Sequence, residues 1–222
     1  MPDRLSLTET YTLLMLYGGG SRTDHMACQF SAGIVLGGLT DLLRAHCVQM
    51  GRDGRLSPAS QRGAVPPCCA ALYGDLCQYP PKTLREWLDH YCFRPTHKAL
   101  RPLVDDVVNE LAAQGYLRVE WRYGLLSRKQ HIEIDPARTG PVAEAFVHGV
   151  LAGEGREEWV FCTEMLLLAD VFKSYFPMGK RAAIKGTLDR YKHTALWQRM
   201  EPLADAVRNF NYQNTVYTGA SL

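Results

Sequence analysis

The chain has 222 residues, 46% hydrophobic and 22% charged, a composition ordinary for a globular protein with a full core. A formal net charge of +2 sets up no strong global field, so nucleic-acid binding cannot rest on bulk charge. Apolar runs such as Met165 to Ala169 fall far short of the roughly 20 residues that cross a bilayer, so any membrane contact is expected to be peripheral.

Helix signals dominate from the start. Ser6 followed three residues on by Glu9 has the capping-box pattern, and Leu7, Tyr11, Leu14 and Met15 then recur at helical spacing. A second helix is predicted from about His25 to Arg44, with Phe30, Ile34 and Leu42 on its apolar side. Gly33 and Gly37 lie four apart on one face of it. Each costs roughly 1 kcal/mol against alanine inside a helix, a cost that close approach of another helix would offset. This helix is therefore expected to be central. His46 to Met50 and Arg55 to Leu56 flank Gly51-Arg-Asp-Gly54 as a short hairpin, and Ser57 to Pro67 reads as loop. Pro80-Pro81 leads into a second capping box, Thr83 to Glu86, with Leu84, Trp87, Leu88 and Tyr91 at amphipathic spacing. A further helix is predicted from about Lys98 to Gln114, with Leu103, Val104, Val107, Val108 and Leu111 buried and Gly115 as its stop.

Next comes the segment that carries the most information. Tyr116 to Trp121 and Lys129 to Ile134 alternate with period two around Gly124, the signature of a β-hairpin. Its tip holds Leu125 and Leu126, where turns are ordinarily polar, with Arg122, Arg128 and Lys129 around them and Trp121 and Tyr123 beside them. Two readings are open. The leucines enter the acyl boundary of a bilayer while the cations meet anionic headgroups, or the leucines fold back as core. Beyond the hairpin, Val142, Phe146 and Val150 mark one helix, and Trp159, Cys162, Leu166 and Ala169 another. Ile184 and Leu188 mark a third, ending near Tyr191, and Leu196, Met200, Leu203, Val207 and Phe210 the last. Neither a repeat nor a composition shift divides the chain. One domain over 1–222 is expected, with 1–5 and 211–222 as flexible ends.

Seven cysteines, no C-x-x-C pair and a polar opening Met1-Pro-Asp-Arg suggest free thiols in a reducing compartment, most of them small core residues. No metal site or cofactor is expected. No specific catalytic motif occurs, so the reading is non-enzymatic. Asp105 and Asp106 read as a solvated helix face. Helix, helix and hairpin from Thr83 to Ile134 also follow the order of a winged-helix module. The helix before the hairpin, however, presents Asp105, Asp106, Asn109 and Glu110, the wrong sign for phosphates.

Several motifs recur together: Leu5-Ser-Leu-Thr-Glu, Ser31-Ala-Gly33 with Leu39 and Leu42, Pro80-Pro-Lys-Thr-Leu-Arg-Glu-Trp87-Leu, Asn109-Glu-Leu-Ala-Ala-Gln-Gly115-Tyr-Leu, and the hairpin with Leu125-Leu126. In this order and at these separations the chain resembles the Golgi phosphoprotein 3 family, peripheral membrane adaptors that recognise phosphatidylinositol 4-phosphate. The similarity runs from Leu5 to about Phe210. The resemblance implies a mainly α fold, a single helical domain with a central helix bundle, surrounding amphipathic helices and a projecting β-hairpin. It implies membrane insertion by Leu125 and Leu126. Of the family's four headgroup contacts it places one on Arg101, the others falling on Val104, Val35 and Met26. The implied partners are an anionic membrane phosphoinositide and cytoplasmic tails of membrane proteins, with a homo-oligomer as one form and no nucleic acid. The implied setting is the cytoplasmic face of the Golgi in a eukaryote, in trafficking or glycosyltransferase retention. Alternatives are a winged-helix-like nucleic-acid binder and an interaction module without lipid binding.

Overall fold

A computed structural model of the chain describes residues 5–19, 28–60, 63–92, 98–123, 128–154, 156–169 and 171–176, with single positions at 179, 184, 186 and 205. The first helix, α1 (Leu7–Tyr17), begins with the expected capping box. Ser6 Oγ accepts from the Glu9 N–H at 3.1 Å, and Glu9 accepts from the Ser6 N–H at 2.7 Å. The next helix, α2 (Cys28–Arg44), supplies the rest of the cap. Asp41 accepts from the Leu7 N–H at 3.0 Å, the Thr8 N–H at 2.9 Å and the Thr8 hydroxyl at 2.7 Å. Thr10 N–H donates to the Ser6 carbonyl, so all four leading amides of α1 are satisfied. Burial pushes the Asp41 carboxyl above the usual carboxylate range, opposed by the Thr8 and Leu7 donors and by Arg44.

The expected close approach at the α2 glycines is present. A side chain on Gly33 would overlap the Tyr11 ring, and one on Gly37 would meet the Thr8 Cα at 3.1 Å. Helix α1 therefore lies directly on α2. An apolar stripe was the sequence expectation for α1; in the structure every residue from Leu7 to Leu16 is buried, Thr8, Glu9, Thr10 and Thr12 included. The polar face is covered because α1 is also packed by α5, α6 and α7, whose ranges follow.

Strands β1 (Val48–Met50) and β2 (Arg55–Pro58) pair antiparallel as the short hairpin expected there. The supposed loop starts later than its sequence suggested, since Ser57 and Pro58 belong to β2. A short 3-10 helix (Pro67–Cys69) runs into α3 (Ala70–Gln78), which the sequence reading did not anticipate. Then β3 (Lys82–Thr83) pairs with β2, Arg55 opposite Thr83, and α4 (Leu84–Cys92) follows with its capping box formed. Helix α5 (Leu100–Ala113) buries Leu103, Val104, Val107, Val108 and Leu111 as its spacing predicts. Asp106 is not on a free face. Its carboxylate accepts from the Ala71 N–H at 2.6 Å and so satisfies a leading amide of α3.

After the hairpin strands β4 (Leu117–Tyr123) and β5 (Arg128–Ile134) come α6 (Pro136–Ala152), α7 (Glu157–Leu168) and the single turn α8 (Phe172–Tyr175). The protein is mainly α, and α2 is its centre, touching α1, α3, α4, α5 and α7. The helices expected at 184–191 and 196–210, and the ends 1–4 and 211–222, lie outside the described residues save for Ile184, Gly186 and Asp205, of which Ile184 is buried. Among the described residues no helix is long and apolar enough to cross a membrane. Cys47, Cys68, Cys69, Cys92 and Cys162 are buried free thiols, as expected of core residues, whereas Cys77 is exposed.

Candidate functional site

The hairpin is held at its root by three elements. Gly115, at φ 76°, turns the chain out of α5 after the Tyr116 N–H has bonded back to the Leu111 carbonyl at 2.9 Å. The Tyr116 carbonyl then accepts from the Asp135 N–H at 2.9 Å and from the Thr139 hydroxyl at 3.3 Å, tying the first strand to the start of α6. Arg138, on the first turn of α6, donates to the Gln114 carbonyl, and its guanidinium lies 5.9 Å from the Tyr116 ring centroid. Gln114 in turn donates to Glu9 at 2.8 Å and Glu110 at 3.0 Å, which joins this root to the buried start of α1. The root is therefore anchored to the core from both sides.

From the root the ladder runs seven pairs, Leu117 opposite Ile134 through Tyr123 opposite Arg128. At about 3.4 Å per residue it is roughly 20 Å long. The sequence expectation ended the strands at Trp121 and Lys129. They extend further, so Arg122, Tyr123 and Arg128 belong to the ladder. Alternation then sorts the pairs. One face carries Leu117/Ile134 and Val119/Ile132, of which Leu117 and Ile132 are buried and Val119 and Ile134 half-buried against the core. Continuing outward, the register pairs Trp121 with Gln130 and Tyr123 with Arg128. The opposite face carries Arg118/Glu133 and Glu120/His131 near the root, a mixed-charge stretch, and the register further out pairs Arg122 with Lys129. Charge is thus segregated along the ladder. Its outer end holds Arg122, Arg128 and Lys129 without a carboxylate, beside Trp121 and Tyr123. Leu125 and Leu126 lie outside the described residues, between Tyr123 and Arg128.

Arg101 is exposed on the first turn of α5, and the hairpin leaves the other end of that helix, about 18 Å along the axis. Val104 and Val35 are core residues, and Met26 lies outside the described residues. The winged-helix order is present as α3, β3, α4, α5 and a hairpin, but β3 pairs with β2 and not with the hairpin. The strand that would complete a wing belongs to the other sheet. Among the described residues no group of three His, Cys, Asp or Glu side chains could hold a metal ion. No protein-family model matches the chain, and no curated protein matches it.

Proposed function

We propose that this protein is a non-enzymatic peripheral membrane adaptor that docks on anionic, phosphoinositide-bearing membranes through the outer end of the β4–β5 hairpin. The observation that carries this reading is the register of that ladder. It sets Arg122 against Lys129 and Tyr123 against Arg128 at the end that bears Leu125 and Leu126. Aromatic residues at the interface, cations at headgroup level and aliphatic residues beyond them is the arrangement a bilayer surface selects. A firmly rooted hairpin would lose little further conformational freedom on docking.

Magnitudes set the kind of binding. Burying two leucines contributes about 3–6 kcal/mol. Three cations on an anionic leaflet add about 1 kcal/mol each. The gross sum, roughly 6–9 kcal/mol before ordering costs, corresponds to micromolar binding at best. The protein would therefore be a reversible visitor, and residence would need a headgroup contact, a membrane-bound partner or several tips acting together. Arg101 is the candidate headgroup contact. With Val35 and Val104 in the core, it would act without the arginines that accompany its counterpart in the family. In a eukaryotic cell this reading places the protein on the cytoplasmic face of Golgi membranes, as a trafficking or retention adaptor.

Flotation with liposomes of graded composition tests the proposal. Co-flotation that rises with anionic lipid, and further with a phosphoinositide, is the expected result. No co-flotation at any composition overturns it. A phosphoinositide preference unchanged by Arg101→Glu removes Arg101 from the headgroup site.

A further inference from the structure

The hairpin is not uniformly basic up to its outer end. Two residues inboard of Arg122 stands Glu120, exposed, and directly opposite it in the register stands His131, half-buried. Further inboard, Arg118 stands opposite Glu133, both exposed. These four residues share the face turned away from the core, since the other face buries Leu117 and Ile132. Distance along the ladder decides which of these charges a docked leaflet feels. At about 3.4 Å per residue, Glu120 and His131 lie roughly 7 Å inboard of Arg122 and Lys129, within one Debye length at physiological ionic strength, about 8 Å. Arg118 and Glu133 lie roughly 14 Å inboard, beyond that length, and their opposite signs cancel. Of the inner charges, only the Glu120–His131 pair therefore enters the balance at the leaflet. Its contribution depends on one proton. With a neutral imidazole the pair carries the negative charge of its carboxylate and opposes docking. With an imidazolium it carries no net charge.

We propose that the Glu120–His131 pair is a proton-operated brake on membrane docking, released when His131 takes up a proton. The inference rests on the membrane reading of the hairpin and adds its regulation. Imidazole is the side chain that ordinarily changes charge between pH 5 and 8. An anionic leaflet favours its charged form, because the negative surface potential concentrates protons there. Docking and proton uptake are thus linked. The docked state holds the proton more tightly, so affinity rises as pH falls through that range and is level above it. The brake also sharpens the choice of membrane. A leaflet richer in anionic lipid releases it at a higher pH, so occupancy climbs more steeply with anionic content than fixed cations alone would give.

Partition of the full chain onto vesicles of phosphatidylcholine and phosphatidylserine tests this, at about pH 8 and about pH 5.5 and at constant ionic strength. One unit of charge at an anionic surface changes affinity about fivefold. The wild type is expected to bind about fivefold more tightly at the lower pH. His131→Gln is expected to bind as the wild type does at the higher pH and to lose the pH response. Glu120→Gln is expected to bind about fivefold more tightly than the wild type at the higher pH. Unchanged hydrogen exchange of the β4–β5 amides identifies variants whose hairpin is intact. Wild-type binding equal at the two pH values, a His131→Gln variant that keeps the response, or a Glu120→Gln variant no tighter than the wild type overturns the brake and leaves membrane docking in place. Absence of binding at both pH values overturns the docking reading itself, and the brake with it.

Discussion

Arg122 stands directly opposite Lys129 in the β4–β5 ladder. Like charges facing each other across strands weaken a hairpin, by up to about 1 kcal/mol, unless an anion offsets them. This gives the proposed site a measurable trade-off. Lys129→Glu is expected to protect the β4–β5 amides from hydrogen exchange by about 0.5–1 kcal/mol in solution. The same change reverses one of three cations and is expected to weaken binding to anionic vesicles by about 2 kcal/mol. Hairpin protection and vesicle affinity moving together would contradict the assignment of this pair to a lipid surface.

Arg138 sets how firmly the hairpin is rooted. Its guanidinium bonds the Gln114 carbonyl and covers the Tyr116 ring. Arg138→Ala removes a charge-assisted hydrogen bond and a cation–π contact, each worth about 1 kcal/mol or more. Faster hydrogen exchange in β4 and β5, with α2 and α4 unchanged, is the expected outcome. Global destabilisation of the same size in every element would show that the root is not a local unit.

Asp41 completes the cap of α1 from a neighbouring helix. Asp41→Ala leaves the Leu7 N–H, the Thr8 N–H and the Thr8 hydroxyl without their acceptor in a buried position, and is expected to cost about 2–4 kcal/mol in urea denaturation. Asp41→Asn keeps one acceptor oxygen and should cost roughly half as much. Equal losses for the two would mean that charge, not hydrogen bonding, is what Asp41 supplies.

Two glycines in helices should respond with opposite signs. Alanine is the better helix former by about 1 kcal/mol. At Gly74, in α3, a methyl group meets nothing within 4 Å, so Gly74→Ala is expected to stabilise by about 0.5–1 kcal/mol. At Gly33 it would overlap the Tyr11 ring, itself fully buried, and overpacking outweighs propensity. Gly33→Ala is therefore expected to destabilise by about 1–2 kcal/mol. Thermal melts of the two variants side by side check both signs.

Gly33 and its neighbour Gly37 also show what the sequence can disclose. Two costly residues on one helix face signalled a helix packed closely on another before any coordinates. The capping boxes of α1 and α4 were legible for a similar reason, because donor and acceptor lie three residues apart. Helix α3 was not legible. Its first residues follow two buried cysteines that give no side-chain cap, and the acceptor for Ala71 comes from Asp106, thirty-five residues along. The same contact removed Asp106 from the solvated face on which periodicity had placed it. Strand β3 is two residues long and depends on Arg55 and Leu56 for its pairing, which no local pattern records. At the candidate site, alternation around Gly124 disclosed the hairpin and its faces, but the register that brings Arg122 to Lys129 is a property of both strands together. The sequence of α1 disclosed only its apolar stripe, because one helix cannot show how many neighbours will cover its polar side.

Flotation of wild type and of Leu125→Asp combined with Leu126→Asp on the same anionic, phosphoinositide-containing vesicles is the most direct measurement. The account predicts that the wild type floats and the double variant stays in the dense fraction, with identical circular dichroism and melting temperature. A folded double variant that floats as well as the wild type would contradict it.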